Sequence, residues 1–127
     1  MIIESILSVD DSEADPYLSR RIVETSVPEA AFASAYDGRE ALEKLEDPAF
    51  IPTVILLDIN MPGMNGFEFL DRYERTHGSE VSPVVVMLTS SMQTRDRERA
   101  QAYSVVPSYI EKPLPRDWTK EVRDALG

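Results

Sequence analysis

Polar side chains stand directly after four apolar segments of this sequence, at the points where those segments would end as strands. They are Asp10, Asp11, Asp58, Thr89 and Lys112. Parallel strands bring their carboxyl ends to one edge of a sheet, and ligands of α/β proteins bind outside that edge. The sequence therefore predicts that these side chains converge on one site.

The predicted site has the chemistry of a metal centre that binds a phosphoryl group. Three carboxylates in one crevice would repel one another unless a cation joined them. Their all-oxygen donor set, with room left for water, favours Mg²⁺ over Ca²⁺, which takes about six to eight oxygen ligands. Lys112 adds a positive charge and Thr89 a hydroxyl donor, so the group could hold a phosphoryl group. An Asp placed there could itself be the nucleophile and form an aspartyl phosphate.

Each of these residues also has an ordinary structural interpretation. Asp10 and Asp11 could cap the N-terminus of a helix, and Asp58 could be a turn residue before a Pro-Gly pair. Thr89 could cap the following helix, and Lys112 could be a solvated strand end. Their joint occurrence after four apolar segments of one small chain favours the functional interpretation.

The elements that must position these residues alternate between strand-like and helix-like segments. The predicted strands are residues 3–9, 30–37, 54–57, 83–89 and 108–112. The predicted helices are residues 12–26, residues 39–47, a helix that buries Met64, Phe67 and Leu70, residues 92–103, and residues 114–126. Apolar residues three or four apart give these helices one buried face, but the fourth has little to bury beyond Ala100 and Tyr103.

This alternation predicts an α/β fold with a five-stranded parallel sheet and helices on both faces. The uninterrupted apolar runs at 54–57 and 84–88 fit a sheet that is covered on both sides. The common order for five such strands, taken from known proteins, is 2-1-3-4-5, a flavodoxin-like doubly wound three-layer sandwich with the first and third strands adjacent. The sequence contains no linker or low-complexity segment, so residues 1–127 are expected to form a single domain.

The composition restricts the class of partner and the location. The net charge of -10, from 23 acidic and 13 basic residues, disfavours nucleic acid as a direct partner. The absence of cysteine excludes disulfides, thiolate metal sites and cysteine nucleophiles. No apolar run approaches the roughly 20 residues of a membrane span, and the first residues lack the positive flank of a signal peptide. We therefore expect a cytoplasmic protein with neither a membrane nor a nucleic-acid partner.

Four motifs, in this order and spacing, resemble those of the receiver domain of bacterial two-component response regulators. They are SVDD at 8–11, LLDINMPGMNGFEFL at 56–70, VVVMLTSS at 84–91 and YIEKP at 109–113. The resemblance extends over essentially the whole chain and is greatest to stand-alone receivers of the chemotaxis-regulator type. One segment departs from that pattern, because AYSVVPSYI at 102–110 lacks the pair of small residues that commonly precedes the fifth strand.

The resemblance implies a phosphoacceptor and a metal site. Asp58 would take a phosphoryl group from a histidine kinase or a histidine phosphotransfer protein. Asp11 and Asp58 would bind Mg²⁺ through their side chains and Asn60 through its backbone carbonyl. Asp10 would act mainly through a metal-bound water.

The resemblance also implies a switch. Lys112 would pair with the phosphoryl oxygens, and Thr89 would move to donate a hydrogen bond to them. Tyr109 matches the aromatic residue that turns inward on activation, although it could also be a plain aromatic of an edge strand. The fourth helix, the fifth strand and the fifth helix form the usual output face, which would control a downstream protein.

The alternative function is a Mg²⁺-dependent phosphohydrolase with an aspartyl nucleophile, of the haloacid-dehalogenase type. That family has a second Asp two residues after the nucleophile, where this chain has Asn60, and a cap segment that this chain lacks. We therefore do not expect an enzyme that turns over external substrates, but a domain that catalyses only its own Mg²⁺-dependent phosphorylation and dephosphorylation. Both a monomer and a phosphorylation-dependent dimer are open at this stage.

Overall fold

The computed structural model describes residues 3–10, 21–59, 61, 63–77, 84–89, 96, 98–99, 103, 108–111 and 114–126. The strands are β1 (Ser5–Val9), β2 (Ala31–Ala35), β3 (Val54–Asp58), β4 (Val84–Thr89) and β5 (Ser108–Glu111). The helices are α1 (residues 21–26), α2 (Gly38–Leu45), α3 (Gly66–His77) and α5 (Trp118–Leu126). Asp96, Glu98 and Arg99 also have a helical backbone, and we label this segment α4.

The strands form one parallel sheet in the order β2-β1-β3-β4-β5, which confirms the predicted fold class. β1 pairs with β3 so that Leu7 lies beside Ile55 and Val9 beside Leu57. β3 pairs with β4 on its other side, where Asp58 lies beside Leu88. β3 is therefore the central strand, and all of its residues are buried.

Successive residues of the central strands point to opposite faces of the sheet, and each face has its own hydrophobic core. The first core lies against α2 and α3 and includes Leu7, Val9, Ile55, Leu57, Val85, Met87, Ala41, Leu45, Phe67, Phe69 and Leu70. The second core lies against α1 and α5 and includes Ile6, Val54, Leu56, Val86, Leu88, Ile110, Val23, Trp118 and Val122. Burial of each large apolar side chain stabilises the fold by about 1.5–3 kcal/mol. The layers are therefore helix, sheet and helix, as predicted.

The boundaries of several helices differ from the predictions. Asn65 Oδ1 accepts a hydrogen bond of 2.9 Å from the Glu68 N–H, so α3 begins at Gly66 and Met64 is buried just before it. α5 begins at Trp118, and Leu114 is buried ahead of the helix instead of within it. Tyr103, predicted to lie in the fourth helix, is not helical. Leu45, Trp118 and Val122 are buried, as expected for the apolar faces of the predicted helices.

The amino ends of β1, β3 and β4 are joined by Thr53, and we call this group of residues the amino edge (Glu4, Ser5, Thr53 and Val84). Thr53 Oγ1 accepts hydrogen bonds from the Glu4 N–H at 3.1 Å and the Ser5 N–H at 3.4 Å. The Thr53 N–H donates to the Ser5 carbonyl at 2.9 Å, and the Val84 N–H donates to the Thr53 carbonyl at 3.0 Å. One threonine therefore connects three strands before the sheet begins.

None of the helices in the described part of the chain is both long and apolar enough to cross a membrane. The longest of them, α3, spans 12 residues and is amphipathic.

Candidate functional site

Asp10 and Asp58 lie at adjacent strand ends of the sheet. Asp58 is the last residue of β3, and Asp10 directly follows β1, whose residue Val9 is in register with Leu57. Both carboxylates are deeply buried, with 4% of Asp10 and 5% of Asp58 exposed. The structure therefore brings these two predicted site residues to adjacent strand ends, because neighbouring parallel strands end side by side.

Backbone hydrogen bonds hold the chain on both sides of this pair. The Asp10 N–H donates to the Ala35 carbonyl at 3.1 Å, which keeps the end of β1 attached to β2. The Ile59 N–H donates to the Leu88 carbonyl at 3.2 Å, so the residue after Asp58 is still attached to β4. The two carboxylates therefore stand on backbone that is fixed by the sheet.

Gly66 packs against the backbone of Asp58 more closely than any other residue type could. The Gly66 N–H donates to the Ile59 carbonyl at 2.9 Å. A Cβ at position 66 would lie 2.8 Å from the Asp58 carbonyl oxygen and 3.1 Å from Ile59 Cα. Both neighbours are backbone atoms, which cannot move aside as a flexible side chain could. Gly66 therefore fixes the start of α3 against the site, and the sequence analysis did not single it out.

One signal in the sequence could have identified Gly66. Glycine is unfavourable within a helix by about 1 kcal/mol relative to alanine, so a glycine that opens an otherwise regular helical pattern indicates a close approach of backbone. Gly66 is the first residue of α3.

Thr89 and Tyr109 lie on the neighbouring strands β4 and β5. Thr89 is the last residue of β4 and is in register with Glu111, whereas Tyr109 is in register with Met87. The backbone of Thr89 therefore ends at the same edge of the sheet as Asp10 and Asp58, and we call these three residues the carboxyl edge. Tyr109 is half-buried and packs against the first core.

The other predicted site residues are Asp11, Asn60 and Lys112, and they lie outside the described residues. Their predicted roles in metal and phosphoryl binding stay predictions.

The donor chemistry of the carboxyl edge fits a hard divalent cation. Burying two carboxylates side by side costs free energy through desolvation and mutual repulsion, and a cation between them offsets both costs. Carboxylate oxygens are the donors that Mg²⁺ prefers. Within the described ranges, no group of three or more His, Cys, Asp or Glu side chains is placed to hold a metal ion. The described members of the predicted metal site are Asp10 and Asp58, and the third predicted carboxylate, Asp11, lies outside those ranges.

Four side chains connect α3 with α4 and the residue beyond it, and we call them the α3–α4 clasp (Phe67, Asp71, Arg99 and Tyr103). The Tyr103 hydroxyl donates a hydrogen bond of 2.6 Å to Asp71 Oδ1. The Phe67 and Tyr103 rings stack with centroids 6.2 Å apart and planes at 26°. The guanidinium carbon of Arg99 lies 4.3 Å from the centre of the Phe67 ring.

The electrostatics of Tyr103 reflect these contacts. Burial raises the pKa of Tyr103, and the hydrogen bond to Asp71 and the charge of Asp71 raise it further. Arg99 acts in the opposite direction and lowers the pKa of Tyr103. Tyr103 therefore stays protonated and remains a hydrogen-bond donor throughout the physiological range of pH.

Comparison with known proteins identifies one family. A family model described as Response regulator receiver domain matches residues 6–122. A protein-glutamate methylesterase/protein-glutamine glutaminase of Geobacillus kaustophilus is 42% identical over 83 residues, which are 63% of this chain and 22% of that protein. This chain therefore spans about a fifth of the length of that relative.

Solved structures agree with this family over nearly the whole chain. A two-component response regulator from Cytophaga hutchinsonii superposes with a TM-score of 0.89 at 29% identity, covering 99% of this chain and 98% of that chain. The Mn²⁺-bound form of response regulator Rcp1 superposes with a TM-score of 0.75 at 29% identity, covering 95% of this chain and 90% of that chain.

Proposed function

This chain belongs to the family of response regulator receiver domains of two-component systems, and from that premise we propose that it accepts a phosphoryl group on Asp58. One observation carries the proposal. Two carboxylates, Asp10 and Asp58, are buried side by side at the carboxyl ends of adjacent parallel strands, where α/β proteins bind ligands. Their oxygen donors are the kind that a hard divalent cation takes, and such a cation can hold a phosphoryl group.

Mg²⁺ is the cation we assign to the site. Asp10 and Asp58, together with Asp11 and the backbone carbonyl of Asn60, would hold it. A bound divalent cation neutralises charge on the phosphoryl oxygens. The Mn²⁺-bound form of Rcp1 supports a divalent metal in a similar domain, and the all-oxygen donor set favours Mg²⁺.

The group transfer that we propose is a displacement at phosphorus. A carboxylate oxygen of Asp58 attacks the phosphorus of a phosphohistidine in a histidine kinase or phosphotransfer protein. A P–O bond forms as the P–N bond breaks, and the imidazole leaves with the electron pair. Lys112 pairs with the phosphoryl oxygens that result, and burial of Asp58 limits access of water to the acyl phosphate.

The phosphoryl group would then change the output surface. This group adds close to two negative charges at the carboxyl edge. These charges draw the Thr89 hydroxyl toward the phosphoryl oxygens. Thr89 ends β4, and Tyr109 lies on the adjoining β5. We propose that both residues move together and that the face formed by α4, β5 and α5 then controls a protein partner in the cytoplasm.

Labelling with a small phosphodonor tests this function. Incubation with acetyl phosphate and Mg²⁺ should add one slowly lost phosphoryl group per chain, measured by intact mass spectrometry. The Asp58→Asn variant should take up none, because an amide is a far weaker nucleophile than a carboxylate. The matched control is Asp124→Asn, which changes an exposed aspartate of α5 and should label as the wild type does.

Two results would contradict the proposal. One is undiminished labelling of the Asp58→Asn variant. The other is sustained hydrolysis of several phosphate esters by the wild type, which would favour the phosphohydrolase alternative.

A further inference from the structure

We infer that the α3–α4 clasp couples the phosphoryl site to α4 through α3. The inference rests on the proposed function, since it concerns how a change at Asp58 reaches α4. The members of the clasp are Phe67 and Asp71 on α3, and Arg99 and Tyr103 on the α4 side.

The route begins at the backbone of Asp58. Gly66 lies so close to the Asp58 carbonyl that a single added carbon would be 2.8 Å from it. Gly66 also donates its N–H to Ile59, the residue that follows Asp58. Because backbone packs directly on backbone here, a displacement at Asp58 acts on the first residue of α3 without an intervening flexible side chain.

The next residue of α3 carries the contact to α4. The ring of Phe67 is 2% exposed, and it meets both Arg99 and Tyr103. These two partners lie four residues apart in the sequence, one on α4 and the other beyond it. A cation over the ring and a stacked aromatic thus hold one buried side chain of α3.

A second attachment lies one turn further along α3. Asp71 follows Phe67 by four residues and accepts the hydrogen bond of 2.6 Å from the Tyr103 hydroxyl. Short hydrogen bonds to a charged acceptor are about twice as strong as neutral ones. Tyr103 is therefore attached to two successive turns of α3, and Arg99 of α4 is attached to the first of them.

Thermodynamic linkage provides the test. If the clasp and the site are coupled, removing the clasp changes the affinity of the site for a phosphoryl mimic by the same factor by which the mimic changes the clasp. The measurement is the affinity of the full chain for beryllofluoride in saturating Mg²⁺, taken from the fluorine NMR signal of the bound ion. Thermal unfolding of each variant shows whether its fold is retained.

The decisive variant is Tyr103→Phe, which removes the hydroxyl and keeps the stacked ring. We expect its affinity for beryllofluoride to change about three- to tenfold, which is a fraction of the roughly 10- to 150-fold effect that one hydrogen bond to a charged group can have. Linkage allows this change in either direction. The matched control is Tyr73→Phe, the same deletion in a buried tyrosine of α3 outside the clasp, and it should change the affinity less than twofold.

Variants of Asp71 separate coupling from packing. Asp71→Asn keeps an acceptor for the Tyr103 hydroxyl and should bind beryllofluoride within about twofold of the wild type, because the hydrogen bond persists. Asp71→Ala should change the affinity for beryllofluoride by the same factor as Tyr103→Phe does. The double variant Asp71→Ala, Tyr103→Phe should show no more change than the larger single one, because both remove the same interaction.

The possible failures are distinguishable. If Tyr103→Phe and Tyr73→Phe both bind beryllofluoride as the wild type does, the clasp is only a packing contact and the inference is overturned, while phosphorylation of Asp58 stands. If additive effects appear in the double variant, the two residues do not act as one unit and the inference is likewise overturned. If the wild type takes up neither beryllofluoride nor a phosphoryl group, the proposed function and the inference both fall.

Discussion

At the amino edge of the sheet, Thr53 uses one hydroxyl and its own backbone to satisfy groups of Glu4, Ser5 and Val84. At the carboxyl edge, the same strands bring Asp10 and Asp58 together and bury two carboxylates. The first arrangement completes hydrogen bonds within the protein, and the second concentrates charge that an external ligand can neutralise.

The two edges use polar residues differently, one for internal hydrogen bonds and the other for binding a ligand. The amino edge adds to the free energy of unfolding whether or not a ligand is present. The carboxyl edge would add to it on binding the proposed cation and phosphoryl group. We therefore expect changes at the amino edge to affect stability without affecting chemistry, and changes at the carboxyl edge to affect both chemistry and the response to metal.

The largest expected effect is stabilisation by Mg²⁺ through the carboxyl edge. At a concentration of 100 times its Kd, Mg²⁺ should raise the free energy of unfolding by about 2.7 kcal/mol, because it binds the folded chain. Urea unfolding with Mg²⁺ and with a chelator measures the difference. Asp10→Asn should reduce this gain, whereas Thr53→Val should retain it in full. If Mg²⁺ raised the free energy of unfolding equally in the wild type and in Asp58→Asn, the carboxyl edge would not be the metal site and the two edges would not differ as proposed.

A smaller effect is expected from Gly66→Ala, which inserts a methyl group beside the Asp58 backbone. The free energy of unfolding should fall by about 1–3 kcal/mol, and labelling by acetyl phosphate should slow, because Asp58 is displaced. Chemical denaturation and timed mass spectrometry measure the two effects.

The control for this variant is Gly63→Ala, a glycine with a φ of 79° and open space around it. Strain in the left-handed region should destabilise that variant by about 1–2 kcal/mol and leave labelling unchanged. If both variants label at the wild-type rate, close packing at Gly66 does not position Asp58.

The smallest effect is expected at the amino edge. Thr53→Val replaces the hydroxyl that accepts from Glu4 and Ser5 with a methyl group, and should lower the free energy of unfolding by about 1 kcal/mol. Labelling of Asp58 should be unchanged. In the control Thr76→Val, the lost hydroxyl donates only to the Arg72 carbonyl on an exposed turn of α3, and the change should stay within about 0.5 kcal/mol. Slower labelling of Thr53→Val would show that the two edges are not independent.

The fold was predictable because its signals are local and repeated. Apolar runs such as Val54 to Leu57 identify buried parallel strands, and residues four apart, such as Trp118 and Val122, identify the inner faces of helices. The pairing of Asp10 with Asp58 then followed from the strand order, since both residues end neighbouring strands.

Features that depend on distant partners were not predictable in the same way. Thr53 precedes a strand like many other polar residues, and its partners Glu4 and Ser5 lie 49 and 48 positions away. The spacing predicts Tyr103 within a helix, whereas its backbone is not helical and its side chain contacts Phe67 and Asp71 across the fold. Only the three-dimensional arrangement reveals such pairs.

The central position of β3 has a consequence for hydrogen exchange. Its strand neighbours β1 and β4 cover both of its edges, and its side chains are buried on both faces. Amide protons of such a strand exchange with solvent chiefly when the whole domain unfolds, whereas those of the outer strands β2 and β5 exchange through local opening. Exchange rates along Val54–Asp58 therefore report the global free energy of unfolding under native conditions, on the segment that carries the proposed phosphoacceptor.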